Sequence, residues 1–506
     1  MALPSWLDPL YTAEEMRATD AFAIEQVGVP SLTLMERAAE GLARVVAEAS
    51  GPGPVRVVVG SGNNGGDGLA AARLLRAEGR QVEVIAVAPL EKLTGDARVN
   101  LERLPGEAPS EVAEEFRAEL LGGSGAVLDA MLGTGFSGAP REPVAGAIAA
   151  VNACGAPVVA CDVPSGVDAS TGEVAAEATR ATVTATFHGP KMGLHVAPGA
   201  FHAGEVRVVA IGMPRGTAPP AAGLISPRVL KLVPHRSREG SKFTSGVVVV
   251  AGGSRGMTGA PCMVAEAAQR TGAGYVQLGV PASTESVFEL RLLEAMTESL
   301  PEEDGSHVAE GAWRVIELAE RAGAVVLGPG LGRSEGAVAF ARAVAGGVEA
   351  PLLLDADGLN AHVGCLEELA RRSAPTVMTP HAGELGRLLE REPSEVSAHR
   401  LASAREGAER TGAVLVLKGD DTIVAAPGGL VAVSRGATAA LATAGTGDVL
   451  CGVIATFLAK GLEPFAAAAA GVSAHARAGI LAAERVGADH TVAGDVIGAL
   501  PGALAR

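Results

Sequence analysis

From Val55 onward the chain alternates short runs of β-branched and aliphatic residues with stretches whose apolar positions recur at helical spacing. The runs VRVVVG, VEVIAVA, AVLDA and PVVAC predict strands, and the stretches between them predict helices, the first starting at about Asp67. Apolar runs that are continuous rather than alternating mark strands buried on both faces, so the pattern predicts a parallel sheet with helices on either side. VTATF and VRVVAIG extend this series, and there it stops. Residues 213–241 are rich in Pro, Gly, Arg and Ser, the composition of a linker. A second α/β series opens at GVVVVAGGS, runs through YVQLGV, AVVLGPG, PLLLDADG, TVMTP and AVLVLKG, and ends in Ala-rich helices. Both series begin with a strand entering a glycine loop, but no further spacing matches. The expectation is two different α/β domains, residues 1–215 and 241–506, joined by a linker at 216–240.

Composition agrees with this and narrows the partners. A chain of 506 residues is too long for one ordinary core. With aromatic residues at 3%, the cores must be built from Val, Leu, Ile and Ala on closely packed layers. A formal net charge of −16 opposes the nucleic-acid backbone and the anionic membrane surface, so neither is an expected partner. The five cysteines, Cys154, Cys161, Cys262, Cys365 and Cys451, have no metal-ligand or redox spacing and suit a reducing compartment. The N-terminus lacks the pattern of a secretory signal, and the Ala-rich stretch after Phe465 is interrupted by Arg477, leaving no run of about 20 uncharged apolar residues. A cytoplasmic homo-oligomer acting on small molecules is the expectation.

Positions 60–68 read GSGNNGGDG, between a strand and the apolar stretch that carries Ala70, Ala71, Leu74 and Leu75. Glycines let backbone amides approach a ligand, and a helix N-terminus favours an anion. A tight turn that needs positive φ explains the glycines alone. It does not explain Asn63, Asn64 and Asp67, whose oxygens suit a cation or a sugar. The spacing departs from GxGxxG and no acidic residue ends the next strand, which disfavours ordinary nicotinamide-dependent hydride transfer. Asp129 and Asp162 sit at the ends of two later strands, and the carboxyl ends of an open parallel sheet line one crevice. Together with an asparagine and Ser165 they suit a hard monovalent cation and one acid/base group. Taken singly, each aspartate is also explained as the cap of the turn that follows it.

GSGNNGGDG, DAMLGTGFSG and DVPSGVD, in that order, resemble the epimerase domain of the NAD(P)H-hydrate repair enzymes, a Rossmann-like three-layer fold, over about residues 10–212. The resemblance implies that Asn63, Asn64, Gly65, Gly66 and Asp67, with Gly133, Thr134, Gly135, Phe136, Ser137, Gly138 and Ala139, contact a hydrated nicotinamide cofactor. Asp162 would contact it as the catalytic residue, while Asn64, Asp129 and Ser165 would ligate potassium. Ser61 departs from the family, where Pro, Lys or His is more usual.

In the second series, ATAGTGDVLCGVIATFLAKG places Gly445 and Gly447 at the start of an apolar helix with Asp448 in its first turn. Amides at that helix start can stabilise a transferring phosphoryl group, and the adjacent carboxylate can take the proton of the hydroxyl being phosphorylated. The alternative for Asp448 is a cap that complements the helix dipole. His381 alone reads as an ordinary surface or core histidine, but in TPHAGE it is joined by Glu384, which can hold Mg²⁺ through water. Lys418 to Thr422 suits nucleotide contact, although Asp420 and Asp421 are also what a hairpin turn requires.

With GGSRGMTGAP, GPGLG and LDADGLN, these motifs resemble the dehydratase domain of the same enzymes, a ribokinase-like α/β fold, over about residues 224–504. The resemblance implies hydrate contacts at Ala260, Gly330, His381 and the catalytic Asp448, and ADP or ATP with Mg²⁺ at Lys418, Gly419, Asp420, Asp421, Thr422 and Gly447. Ala444 and Pro261 replace residues more usual in the family. The expected function is repair of hydrated NADH and NADPH, by epimerisation in the first domain and nucleotide-driven dehydration in the second. The rival is a small-molecule kinase fused to a non-catalytic Rossmann-like binding domain.

Overall fold

Val55–Val59 lies inside a seven-stranded sheet because both of its faces are covered by apolar side chains. The spatial order is Ser110–Glu111, Val82–Ala86, Val55–Val59, Ala126–Ala130, Val158–Cys161, Val183–Phe187 and Glu205–Val209, and every neighbouring pair is parallel. One face packs against the helices Ser31–Ala49 and Asn63–Ala77, and the other against Val144–Ala153. Helical layers on both faces explain why the strands read as continuous apolar runs.

This computed structural model describes residues 3–214, 220–434, 436 and 438–505. They divide into a first unit over Pro9–Gly223 and a second over Leu224–Arg506 together with Pro4–Asp8. The second unit has an eleven-stranded sheet. Its parallel part runs Met296–Leu300, Tyr275–Pro281, Val247–Ala251, Ala324–Leu327, Leu352–Leu354, Thr376–Met378 and Val414–Leu417. Ile423–Ala425 and Val431–Val433 continue it antiparallel, and Ala222–Ile225 and Leu7–Leu10 complete the edge.

Counted along the chain within each unit, the seven parallel strands of both sheets take the order 3-2-1-4-5-6-7. The chain pattern reads as two different folds, yet the parallel cores share one topology and differ in what is added around them. In such a sheet the order reverses beside strand 1, and the gap between the loops leaving its carboxyl end is where ligands bind. The reversal falls between Val55–Val59 and Ala126–Ala130 in the first unit, and between Val247–Ala251 and Ala324–Leu327 in the second.

Part of the segment that reads as a linker is regular structure. Ala222–Ile225 is a strand of the second sheet, and Pro227–Leu232 is a 3-10 helix whose first turn is capped by Ser226. Its Pro and Arg content obscures two short apolar pieces, AGLI and VLKL, that have burial to gain. The Ala-rich helix Pro464–Val486 is long and apolar enough by composition to cross a membrane, and 72% of that window is buried inside the protein.

Trp6 is buried, with its ring 5.7 Å from that of Phe465 on the same helix. Trp6→Ala removes a large buried ring, which costs about 3–5 kcal/mol. Calorimetry should show the melting transition of the second unit moving down and that of the first unit unchanged.

Candidate active sites

Gly60 follows the first central strand, and the next helix starts at Asn63 rather than at Asp67. The glycines of NNGGDG therefore lie inside the helix. A Cβ on Gly68 would stand 2.6 Å from the Ala130 methyl, and one on Gly65 would overlap the Gly60 carbonyl oxygen. Close packing on the sheet outweighs the poor helix propensity of glycine. The helix start opens on a cavity of about 700 Å³ lined by Asn63, Asn64, Asp67, Thr134, Phe136 and Asp162 among others. Gly133 and Gly135 also line it, Gly65 and Gly66 are buried behind it, and Ser137, Gly138 and Ala139 are exposed outside its lining.

Asp129 is fully buried. Its carboxylate accepts the Ser165 hydroxyl at 2.6 Å, the Ser165 amide at 2.9 Å and the Met131 amide at 3.3 Å. Ser165 Oγ accepts the Leu132 amide at 2.9 Å, and Asn64 donates to the Leu132 carbonyl at 2.9 Å. Asn64, Asp129 and Ser165 are thus gathered around one turn, Met131–Leu132. Burial pushes the Asp129 carboxyl up, and the leading groups opposing it are hydrogen bonds from Ser165, Thr179 and Met131 rather than a basic side chain. Side-chain oxygens around a buried acid that has no lysine or arginine in contact among the described residues suit a hard cation.

Asp162 directly follows the strand Val158–Cys161 in the left-handed region, at φ 65°. Its Oδ1 accepts the Lys191 ammonium at 2.5 Å, the Thr186 hydroxyl at 3.1 Å and the Phe187 amide at 3.2 Å, while Oδ2 accepts the Thr134 hydroxyl. Burial acts to raise this carboxyl, but the charge and hydrogen bond of Lys191, with the hydrogen bonds of Thr134 and Phe187, outweigh it and hold the group below the ordinary carboxylate range. Asp67 behaves in the opposite way: burial, then the charges of Asp162 and Asp20, push it well up. Asp20 is also raised, by burial first, against the opposing charge of Lys191. One cavity therefore holds a carboxylate fixed as the anion beside two carboxyls biased towards keeping a proton, which is what an acid/base pair needs. Sequence reasoning missed Lys191 and Asp20. Lys191 had a signal, since it lies in the loop that leaves the strand Val183–Phe187, as Asp162 directly follows Val158–Cys161.

In the second unit, a shallower cavity of about 480 Å³ is lined by Ala260, Gly330, Asp448, Glu384, Asp357 and Asn360 among others. His381 lies outside this lining. Its Nδ1 accepts the Gly383 amide at 3.0 Å and caps the helix Ala382–Leu389, while Glu384 accepts the His381 amide at 2.8 Å. Lys418 to Thr422 connects the antiparallel strands Val414–Leu417 and Ile423–Ala425, as the turn reading requires. Within it, Asp420 is exposed and Asp421 is buried against Arg400 with two contacts of 3.0 and 2.8 Å. A Cβ on Gly419 would overlap that guanidinium, which explains glycine there.

Lys418 Nζ lies 2.8 Å from Asp355 and 3.7 Å from Glu384. Burial would lower its pKa, but these two carboxylates outweigh burial and raise it. A Cβ on Gly447 would stand 3.5 Å from the same nitrogen, so the GTGD turn faces Lys418. Gly445 holds the cap position of the helix Thr446–Ala459 at φ 89° and has no side chain with which to cap. Asp448 is therefore inside the first turn rather than at the cap. Burial, then the charge of Asp355, push its carboxyl up to about 7 against the opposing charge of Lys418. Such a group is divided between acid and base at neutral pH, as a general base requires. Asp355 and Arg400 carry no role in the sequence reading, although LDADGLN displays the first.

The chain has relatives along nearly its whole length. A family model described as NAD(P)H-hydrate dehydratase matches residues 248–501, and one described as YjeF-related protein N-terminus matches residues 31–193. The chain is 41% identical over 523 residues to the bifunctional NAD(P)H-hydrate repair enzyme Nnr of Salinibacter ruber, covering 97% of this chain and 95% of the relative. It is 37% identical over 497 residues to the protein of the same name from Thermofilum pendens, again covering 97% and 95%. Among solved structures, an ADP/ATP-dependent NAD(P)H-hydrate dehydratase from Bacillus subtilis, co-crystallised with ATP and Mg²⁺, is 27% identical. It covers 55% of this chain and 96% of its own, with a TM-score of 0.47.

The raised carboxyl of Asp448 has a consequence for stability. Its folded pKa of about 7 lies above the ordinary 3.8, so its stabilising contribution is complete at low pH and is lost as pH rises through about 7. Asp448→Asn cannot ionise. Its melting temperature should therefore gain on that of the unaltered protein between pH 5 and pH 8, and a pure capping role would give no such pH-dependent gain.

Proposed function

The chain belongs to the family of bifunctional NAD(P)H-hydrate repair enzymes, and from that premise we propose how its residues divide the work. It is an NAD(P)H-hydrate epimerase and a nucleotide-dependent NAD(P)H-hydrate dehydratase; a kinase fused to a non-catalytic domain is not favoured. We assign the epimerase to residues 1–215 and the dehydratase to 241–506. A homo-oligomer in the cytoplasm is part of the same proposal, and the five free cysteines suit that compartment.

The hydrate carries a hydroxyl on the ring carbon beside nitrogen, and hydroxide leaves poorly at neutral pH. In the dehydratase, Asp448 takes the proton of that hydroxyl while its oxygen bonds to the terminal phosphoryl group of ADP or ATP, releasing AMP or ADP. The C–O bond then breaks with phosphate departing, the ring nitrogen's lone pair closes a C=N bond, and loss of a proton from the next ring carbon restores the dihydropyridine. Ala260, Gly330 and His381 contact the hydrate in this reading. Lys418 to Thr422 and Gly447 hold the nucleotide through an ammonium, backbone amides and the Thr422 hydroxyl. Mg²⁺ bound with the nucleotide would neutralise phosphate charge, held through water at Glu384, whose carboxylate beside Asp448 is the oxygen donor that ion prefers. The observation that carries this assignment is Asp448 itself, raised to about 7 in a cavity shared with Glu384.

In the epimerase, inverting the hydroxylated carbon means losing the hydroxyl as water and taking water back on the other face. The first step needs an acid and the second a base. Protonated Asp67 supplies the first proton, Asp162 receives one from the incoming water, and return of that proton from Asp162 to Asp67 resets both groups for the next turnover. The Asn63–Asp67 and Gly133–Ala139 segments bind the hydrate. Asn64, Asp129 and Ser165 hold potassium, whose charge would offset the buried Asp129 and fix the turn at Met131–Leu132.

An acid-generated mixture of both hydrate epimers tests the whole reading. With ADP or ATP the absorbance of the dihydronicotinamide should return in full; without nucleotide it should not return. A phosphorylated hydrate accumulating as product would instead favour the kinase. Asp129→Ala should abolish epimerisation and its potassium dependence while the competent epimer is still dehydrated. Unchanged epimerisation by that variant would reduce Asp129 to a structural residue.

For Asp448→Asn, nucleotide should still bind while dehydration falls by about a hundred- to ten-thousand-fold. In the unaltered enzyme the rate should rise as pH passes through about 7, because the base is the ionised form. A flat profile across that range would remove Asp448 from the role of base.

A further inference from the structure

Lys191 is among the most deeply buried large side chains of the protein, with 1% of its surface exposed. A buried ammonium has three N–H donors and needs a partner for each. Here they go to Asp162 Oδ1 at 2.5 Å, Thr186 Oγ1 at 3.0 Å and the Phe187 carbonyl at 2.9 Å. All three are used inside the protein, so Lys191 has none left for a substrate. Oδ1 of Asp162 is likewise filled, by Lys191, Thr186 and the Phe187 amide. Oδ2 is different: among the described residues it accepts only the Thr134 hydroxyl, and Thr134 lines the cavity.

We propose that Lys191 is a positioning residue for epimerisation, clamping Asp162 Oδ1 so that Oδ2, with Thr134, is the oxygen that exchanges a proton with the substrate. The inference rests on the reading that Asp162 acts on the hydrate, and it adds which oxygen acts and what fixes it. The clamp also sets charge. Asp162 faces Asp67 on the helix Asn63–Ala77, Asp20 on the helix Ala13–Ala21 and the Cys161 thiol beside it, while Lys191 also acts on His188, whose pKa is lowered by burial and by that ammonium. Arg17 and Asp96 line the same cavity, and the cation that acts on Asp162 is Lys191. Without Lys191, burial would push Asp162 towards the acid against only the hydrogen bonds of Thr134 and Phe187, leaving the cavity short of a group to receive a proton.

The test starts from one purified epimer, omits nucleotide, and follows interconversion chromatographically from pH 6 to pH 9 on the full-length chain. Lys191→Met should lose activity by about tenfold or more at pH 6 and recover part of it towards pH 9, as Asp162 ionises without its partner. Lys191→Arg keeps a charge and should retain an acidic limb nearer that of the unaltered enzyme. A loss equal at every pH would make Lys191 merely structural and overturn the proposal. Asp162→Asn is measured beside them: if it epimerises normally, the reading of Asp162 fails, which is a different failure. Should Lys191→Met lose the melting transition of the first unit, Asp162→Asn/Lys191→Met removes the carboxyl left without its partner and is expected to restore it. Failure to restore it would equally overturn the assignment of Lys191 as the partner of Asp162.

Discussion

A carboxylate taken out of water must be given a cation or must take up a proton, and both sites of this protein are organised by which of the two each carboxylate receives. In the first unit, Asp162 has Lys191 and is held as the anion, while Asp67 and Asp20 are pushed towards the acid. In the second, Asp355 and Glu384 share Lys418, and Asp448, beside them in a partly buried turn, is raised to about 7. One ion-paired lysine in each unit thus sorts a cluster of similar acids into unlike roles. Single-residue inspection cannot separate them, since every member is an aspartate or glutamate near one end of a strand or helix.

The backbone places these clusters. Both parallel sheets reverse order beside their first strand, and both cavities open at the carboxyl ends there. In the first unit the helix start that frames the cavity lies against the sheet at a distance only glycine permits, as the contact of Gly68 with Ala130 shows. In the second, Gly445 turns the chain through the left-handed region so that the first turn of the helix Thr446–Ala459 faces Lys418. One topology accommodates both an epimerase and a dehydratase because the chemistry is carried by the loops that leave the strands.

The sequence by itself determined the α/β class, the two series of strands, and the family. Continuous apolar runs report two-sided burial whatever the packing partner, and the motifs GSGNNGGDG, DVPSGVD and GTGD are contiguous, so their chemistry is visible without folding. It also pointed to Asp129, Asp162 and Asp448 as acids at element ends. Tertiary structure alone decided how those acids are paired. Lys191 is 29 residues from Asp162, and Lys418 is 63 from Asp355, distances over which no local pattern acts. It also decided that NNGGDG is helix rather than loop, that part of the Pro- and Arg-rich segment is a strand, and that the two parallel cores share an order their spacing conceals. The physical reason is common to all of these. Propensity and spacing are local, whereas desolvation, close packing and charge pairing depend on which distant residues the fold brings together.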